Sequence, residues 1–227
     1  MGKSNAGQIT GFIVLGLVVI LLLVFVQAFL SNWTKIKPGL IYPKEAQPIA
    51  NHITDCVTLL GQEAVEIMGS QGGWIEIPAV ISSDIRASMP LDLKGNQRLP
   101  YWHYQGEVRI PTQEGMERQI AKFIETNLKS CMTNLTQFGM DVEELGNISA
   151  QSVIADNEVL IQVTYPLRLT APGLELTVDK YQTSLQVKLK QLYDLAYRIT
   201  LFEIEHQYLE NMTVDLMSAN KDIPFSN

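Results

Sequence analysis

The chain has 227 residues, 46% of them hydrophobic, and a formal net charge of −7. This composition excludes a disordered chain, which would bury too little apolar surface to fold, and it does not fit a protein with many membrane spans. Because 24 acidic residues outnumber 17 basic ones and no basic cluster occurs, we expect no nucleic acid partner. The 2 cysteines are too few for a disulfide-rich scaffold or a four-thiolate zinc site.

The first long element is an apolar segment, residues 9–30, in which only Thr10, Gln27 and two glycines interrupt the hydrophobic side chains. As an α-helix it would be about 33 Å long, which matches a bilayer hydrocarbon core of about 30 Å. Trp33 follows where the lipid headgroups would lie. We therefore predict a single transmembrane helix over 8–30, so that the chain contacts the membrane through residues 9–30.

The residues before this segment suggest how it is processed. Lys3, Ala6-Gly7 and Gln8, followed by a long apolar run, resemble the class III signal of type IV pilin-like proteins. This resemblance implies cleavage between Gly7 and Gln8 and a retained helix that assembles into a filament core. The sequence departs from that pattern at Phe12, where many pilins carry a glutamate, and Lys3 lies farther from Gly7 than usual. An uncleaved anchor with residues 1–7 as a cytoplasmic tail is the alternative.

Charges on the two sides of the segment nearly balance, so they do not decide its orientation. The short N-terminus favours a cytoplasmic start and an extracytoplasmic C-terminal domain. Glycosylation sequons recur in the chain, at Asn32, Asn134, Asn147 and Asn211. Glycosylation at these positions would agree with export, and polar loop residues without sugar are the alternative.

Beyond the anchor we divide the chain into a juxtamembrane linker (31–45), an extracytoplasmic domain (46–215) and a tail (216–227). Apolar residues at steps of three and four predict an amphipathic helix from Ala46 that stops at Gly69. A second such helix is predicted to start near Pro111-Thr112, and a third, long helix is marked by the apolar stripe from Leu189 to Leu209. Cys56 and Cys131 lie on the apolar faces of the first two helices and are disulfide candidates, with two buried free thiols as the alternative.

Alternating hydrophobicity marks the region 140–188, most clearly from Val159 to Tyr165, and predicts strands with one buried face. A change of phase near Asp179-Lys180 predicts a β-bulge. The expected fold is α+β, with three amphipathic helices packed on an antiparallel meander of three or four strands. Gly72-Gly73 predicts a tight turn that leads into a short strand ending at Pro78, and the rest of 70–110 is expected to form a loop or lid.

Residues that carry chemistry are sparse. Tyr101, Trp102 and Tyr104 form the densest aromatic cluster, which suggests a contact with a partner or glycan. A segment that simply covers the core is the alternative. No catalytic motif occurs, and the histidines lack metal-ligand spacing with the cysteines, so we expect no catalytic residues, cofactor or metal.

Several short segments together resemble a group of archaeal membrane-anchored surface proteins. They are Gly7-Gln8, Asp55-Cys56, Gln71-Gly72-Gly73-Trp74, Leu99-Pro100-Tyr101-Trp102, Ser130-Cys131 and the run from Val163 to Leu167. The resemblance implies an architecture and an archaeal origin, and no activity. The expected function is that of a non-catalytic cell-surface protein that associates with itself or with another surface protein, as in a filament or appendage. An anchored extracytoplasmic receptor for a ligand is the alternative.

Overall fold

The structure, a computed structural model, describes residues 42–92, 97–132 and 135–220. In this part of the chain there are five α-helices, which are α1 (Gln47–Ser70), α2 (Ala79–Ser82), α3 (Gln113–Cys131), α4 (Leu189–His206) and α5 (Tyr208–Ala219). The strands of the same part are β1 (Ser88–Pro90), β2 (Arg98–Pro100), β3 (His103–Tyr104), β4 (Glu107–Val108), β5 (Asp141–Glu144), β6 (Ser149–Ile154), β7 (Val159–Ala171) and β8 (Leu174–Leu185). The predicted α+β class with an antiparallel sheet is confirmed.

The main sheet is organised around β7, its longest strand. β8 returns along one edge of β7 after the turn Pro172-Gly173, where Gly173 adopts a φ of +79°. β5 and β6 pair end to end along the other edge. The predicted number of strands is confirmed, but the simple meander is wrong. β7 has 13 residues, long enough for the 4 residues of β5 and the 6 of β6 to pair with it in succession.

The alternation that predicted β7 reflects burial of one face. Every second residue from Val159 to Leu169 is buried, and the residues between them are more exposed. The predicted irregularity of β8 is also present. Thr164 pairs with Lys180 and Leu167 with Val178, so Tyr165 and Pro166 together lie opposite Asp179. Pro166 has no N–H to donate to the sheet, which makes this point a favourable one for a bulge.

Helices α1 and α3 pack side by side on the buried face of the sheet. α1 lies over β8 and α3 over β6, and the two helices also contact each other. Gly61 allows α1 to approach the sheet closely, because a Cβ at this position would lie 2.5 Å from the Cδ1 of Ile161. The core is formed by the apolar stripes that predicted the helices, including Ile53, Ile120 and Ile124.

The predicted bridge between the two helices is confirmed. Cys56 on α1 and Cys131 at the end of α3 form a disulfide, with their Cα atoms 5.9 Å apart. The bridge joins positions separated by 75 residues. α3 begins as expected, since the Thr112 side chain accepts a hydrogen bond from the N–H of Gly115 as an N-cap.

The end of α1 differs from the prediction. The helix continues through Gly69 and ends at Ser70, and the turn follows at Gly72, which has a φ of +63°. The N–H of Gly73 donates to the carbonyl of Met68 at 2.8 Å, which is the capping bond of a Schellman motif. The turn therefore lies at Gly72-Gly73, as predicted, but the helix ends one residue beyond the predicted stop at Gly69.

The strand predicted to lead from this turn to Pro78 is wrong. The N–H groups of Ile75 and Glu76 both donate to the Oε1 of Gln119, each at 2.8 Å, so a side chain of α3 replaces a neighbouring strand. The stretch expected to be a loop or lid holds α2 and two small antiparallel pairs, β1 with β2 and β3 with β4.

The third predicted helix differs most. It is interrupted at Gln207, which has a left-handed backbone with φ 50°, and it becomes α4 and α5. Neither helix contains a buried residue, so the predicted packing of a third helix on the sheet is wrong. α1 and α3 already cover the sheet, and the apolar side of the C-terminal helices faces solvent instead.

Within the described residues, no helix combines the length and the apolar character needed to cross a bilayer. The predicted transmembrane helix over 8–30 lies outside the described residues, as do the Gly7-Gln8 processing site and the linker up to residue 41. Asn32 and Asn134 also lie outside them.

Candidate interaction surface

The predicted contact residues lie close together, with Tyr101 and Trp102 between β2 and β3 and Tyr104 at the end of β3, but their environments differ. Trp102 is half-buried, and its Nε1–H donates to the carbonyl of Gly72 at 2.8 Å. Its ring also contacts that of Tyr193 on α4, at a centroid distance of 6.0 Å. Trp102 therefore ties the turn after α1 to the C-terminal helices.

Tyr104 is held in place by polar groups. Its hydroxyl lies 3.3 Å from the Oδ2 of Asp84, and the Arg109 guanidinium lies 5.6 Å from the centre of its ring. The backbone N–H of Arg86, together with the Arg86 side chain, lowers the pKa of the Asp84 carboxyl from its usual value. Asp84 therefore stays ionised and accepts these hydrogen bonds over a wider range of pH.

Tyr101 is the exposed member of the cluster. Its side chain is 41% exposed and stacks on Tyr104 with the ring centroids 6.2 Å apart. Of the three predicted residues, Tyr101 is thus the one that offers most of its ring to a partner.

The first turns of α4 fasten it to the rest of the domain. The hydroxyl of Tyr193 donates to the carbonyl of Pro111 at 2.8 Å, and burial raises the pKa of this hydroxyl. The Nζ of Lys190 lies 2.6 Å from the Oδ1 of Asp156, and this hydrogen bond raises the lysine pKa. α4 is therefore held along one side only.

Along the rest of α4 and α5, large apolar side chains remain in contact with solvent. We call them the C-terminal apolar face; they are Leu192, Leu195, Tyr197, Ile199, Leu201, Phe202, Tyr208, Leu209, Met212, Val214 and Leu216. Their side chains are between 39% and 66% exposed. Patches of this kind on soluble domains usually mark sites of contact with another molecule.

The junction of α4 and α5 is built around Gln207. A carboxylate oxygen of Glu203 accepts a hydrogen bond from the N–H of Leu209 at 3.0 Å, which satisfies one of the free N–H groups at the start of α5. His206 stacks on Phe202 with a centroid distance of 4.3 Å. These contacts fix the direction in which α5 leaves α4.

Two of the depressions that border the C-terminal apolar face are lined in part by Trp102. An open one of about 430 Å³ lies between the aromatic cluster and the α4–α5 junction, where Tyr101, His103, Glu203 and Glu210 contribute polar groups. A smaller one of about 180 Å³ is lined almost entirely by apolar groups, among them Met68, Met116 and Leu192. The aromatic cluster and the C-terminal helices therefore form one continuous uneven surface.

The described residues of this surface form no metal-binding cluster and carry no free thiol. In the described ranges, no three or more His, Cys, Asp or Glu side chains are placed to hold a metal ion. Both cysteines of the chain are in the disulfide and carry no thiol for nucleophilic chemistry. The arrangement is suited to binding an apolar or aromatic surface.

Two predicted glycosylation sites fall in described residues, and both are exposed. Asn147 lies in the connection between β5 and β6. Asn211 lies in the first turn of α5, where its Nδ2 is 3.5 Å from the carbonyl of His206. Asn147 is accessible without any change in a helix, so it is the better placed of the two.

The periodicity of the third helix predicts a core position for its stripe, so it does not predict the exposed C-terminal apolar face. A signal was present. Tyr197 and Leu201 lie off that stripe, so the segment carries more apolar residues than packing on one sheet requires. Comparisons of the chain with protein-family models, with curated proteins and with solved structures found no match.

Proposed function

We propose that this chain is a membrane-anchored, non-catalytic protein of the cell surface that acts through contacts with other proteins. The observation that carries the proposal is the C-terminal apolar face, which the domain itself leaves uncovered. In this proposal residues 9–30 anchor the chain in the membrane, and the disulfide-bonded α+β domain lies outside.

Much of the apolar surface of α4 has no partner within the domain. Full burial of a Leu, Ile or Phe side chain stabilises a fold by about 1.5–3 kcal/mol. Leu195, Ile199 and Phe202 are 50%, 51% and 48% exposed, so roughly half of that stabilisation is still available to an interface. Several such residues in a row supply a large part of the free energy that association requires.

The proposed location has independent support in the disulfide. Bridges of this kind form and persist in oxidising environments outside the cytoplasm. The bridge between Cys56 and Cys131 agrees with an exported domain. A retained N-terminal helix that packs with its neighbours would make the chain a pilin-like filament or appendage subunit.

One observation favours a second candidate function, that of an anchored receptor. The open depression of about 430 Å³ combines the rings of Tyr101 and Trp102 with the carboxylates of Glu203 and Glu210. Aromatic faces beside a few polar groups are typical of small-ligand sites. A ligand that raises the melting temperature without causing association would support the receptor.

The experiment starts from the native protein purified from its own membranes. Its mass with and without reduction, its N-terminal residue and its appearance in negative stain are measured on one preparation. Filaments whose subunits begin at Gln8 support the pilin-like form of the proposal. Discrete assemblies that retain Met1 contradict that form and support an anchored scaffold.

Matched variants test whether the C-terminal apolar face is responsible. Leu209→Glu and Ile199→Glu, combined in one chain, place charge within this face, and we expect them to abolish association. Leu59→Glu is the control, because Leu59 is 59% exposed on α1 and Leu209 is 58% exposed on α5. Native protein that is monomeric and has no bound partner contradicts the proposal.

A further inference from the structure

We propose that the partner of the C-terminal apolar face is a second copy of this chain, and that the two copies pair in parallel along α4. The contact would run along the α4 stripe, which we define as Leu192, Leu195, Ile199 and Phe202. This inference rests on the proposed function, because it names the protein that the exposed face contacts.

The spacing of the α4 stripe is that of a two-helix seam. Steps of three, four and three residues are the a and d positions of a heptad repeat. At about 100° per residue, the four side chains lie within about 80° of the helix circumference. They are 66%, 50%, 51% and 48% exposed, so the stripe is open along its length.

The domain holds α4 mainly on the arc beside this stripe, and on the stripe itself Leu192 and Ile199 border the two depressions that lie between α4 and the domain. The less exposed residues Tyr193, Ala196 and Thr200 lie on a neighbouring arc, and Tyr193 makes the contacts with Pro111 and Trp102. A second helix therefore has access to the stripe while α4 stays attached to the domain.

Charges on the two flanks of the stripe complement each other. Arg198 lies beyond one edge and Glu203 beyond the other, five residues later in the chain. In a parallel pair of helices, these are the g position of one helix and the e position of its partner, which face each other. The Nε of Arg198 donates to the backbone carbonyl of Asp194, and among the described residues its guanidinium forms no ion pair with a carboxylate. Two symmetric Arg198–Glu203 ion pairs would therefore form between the helices, one on each side of the apolar contact.

A parallel arrangement also suits two copies anchored in one membrane, since their domains would point in the same direction. A lipid surface is a poorer occupant of the stripe. Acidic residues outnumber basic ones on α4 and α5, and they would be repelled by anionic headgroups.

The size of the seam predicts the strength of pairing. α4 has 18 residues and is about 27 Å long, so its contact is smaller than the roughly 800 Å² per partner of a typical stable interface. We expect weak pairing in dilute solution and strong pairing when the anchors confine both copies to a membrane.

The experiment is cysteine cross-linking of the full chain in lipid vesicles. Leu195→Cys and Phe202→Cys place thiols at d positions, which meet their own counterparts only in a parallel pair. Leu201→Cys is the matched control. Leu201 also belongs to the C-terminal apolar face and is 39% exposed, but it lies about 140° around α4 from the middle of the stripe. We expect both seam variants to form disulfide-linked dimers at least about tenfold faster than the control.

Changes of charge test the flanks. We expect Arg198→Glu to weaken pairing roughly tenfold. Glu203→Gln should weaken it by a smaller factor, because it removes the charge but keeps an oxygen that accepts from the N–H of Leu209. Arg118→Glu on α3 is the control, since the Arg118 side chain is 74% exposed and remote in sequence from the seam.

The outcomes separate this inference from the proposed function. If the chain associates but Leu195→Cys and Phe202→Cys react no faster than Leu201→Cys, parallel pairing along α4 is wrong and the proposed function stands. Association with an unlike protein instead of a second copy has the same meaning. If the chain is monomeric in vesicles and alone in its native membranes, both proposals fail.

Discussion

Trp102 and Tyr101 are neighbours in the chain, but only one of them has a structural role in the fold. Trp102 donates a hydrogen bond to Gly72 and packs against Tyr193, whereas Tyr101 is 41% exposed. We expect Trp102→Ala to lower the free energy of unfolding by about 2–3 kcal/mol, because it removes packing and leaves a carbonyl without its donor. Tyr101→Ala should change it by less than about 0.5 kcal/mol. Urea unfolding of both variants measures the difference, and equal losses would contradict it.

Gly73 and Gly106 allow a second comparison of single residues, because both have a positive φ, of +95° and +82°. Alanine at either position would be held in a left-handed backbone conformation, which destabilises the fold by about 1–2 kcal/mol. At Gly73 the new Cβ would also lie 2.5 Å from the Cγ of Pro111, whereas nothing lies within 4 Å at Gly106. We expect Gly73→Ala to cost about 1–3 kcal/mol more than Gly106→Ala. Thermal unfolding of the two variants tests this, and similar melting temperatures would show that the turn adjusts.

At the scale of elements, the disulfide controls how firmly α1 and α3 stay together. It closes a loop of 75 residues in the unfolded chain, which the loop-entropy model values at about 4–5 kcal/mol. We expect reduction to lower the urea midpoint strongly. The control is the double variant Cys56→Ala/Cys131→Ala, which should start near the reduced value and show no response to reductant. An unchanged midpoint on reduction would mean that packing alone holds the two helices.

The ion pair between Lys129 and Glu144 connects the end of α3 to β5. The hydrogen bond from Lys129, and next that from the Tyr165 hydroxyl, lower the pKa of the Glu144 carboxyl. A lowered folded-state pKa stabilises the fold above the unfolded-state value of about 4.3, and this stabilisation disappears as the pH falls through the folded-state pKa.

We therefore expect Glu144→Gln to reduce the free energy of unfolding at pH 7 by less than about 1 kcal/mol, because the Glu144 side chain is 50% exposed and solvent screens it. Glutamine keeps an acceptor for Tyr165, so the variant isolates the charge. The gap in unfolding free energy between wild type and variant should close in acid, at a pH below the usual pKa of a glutamate. Unfolding curves at several pH values measure it, and a gap that does not depend on pH would assign the effect to packing.

Sequence periodicity predicted which segments form helices and strands better than it predicted what packs against each of them. It identified β7 and the stripes of α1 and α3 because those residues lie at an interface with one buried side, which produces a regular pattern. The same pattern occurs on α4, where Leu195 and Phe202 face solvent. Hydrophobic spacing indicates that a face will be covered, but it does not identify the covering molecule. The hydrogen bond that the N–H of Ile75 donates to Gln119, in place of a strand partner, joins residues far apart in the chain, and no spacing in the sequence predicts it.

At the scale of the whole molecule, the described residues comprise a domain built around a buried core and two C-terminal helices that carry a run of exposed apolar side chains. This division agrees with a chain in which folding and association use different segments. The sheet, α1 and α3 supply the buried core, and α4 and α5 contribute no buried residue to it.

Two truncations test that division. A chain that ends at Gln207 lacks α5, and we expect its unfolding free energy to change by less than about 0.5 kcal/mol, because no buried side chain is lost. A chain that ends at Lys188 also lacks α4, and with it the contacts of Tyr193 with Trp102 and Pro111. We expect this second truncation to cost about 2–3 kcal/mol and to abolish pairing along α4, while the first retains it. Denaturation measures the stability of both truncated chains, and cross-linking in vesicles measures their pairing. Equal losses of stability would mean that α5 supports the domain, so that folding and association share one segment.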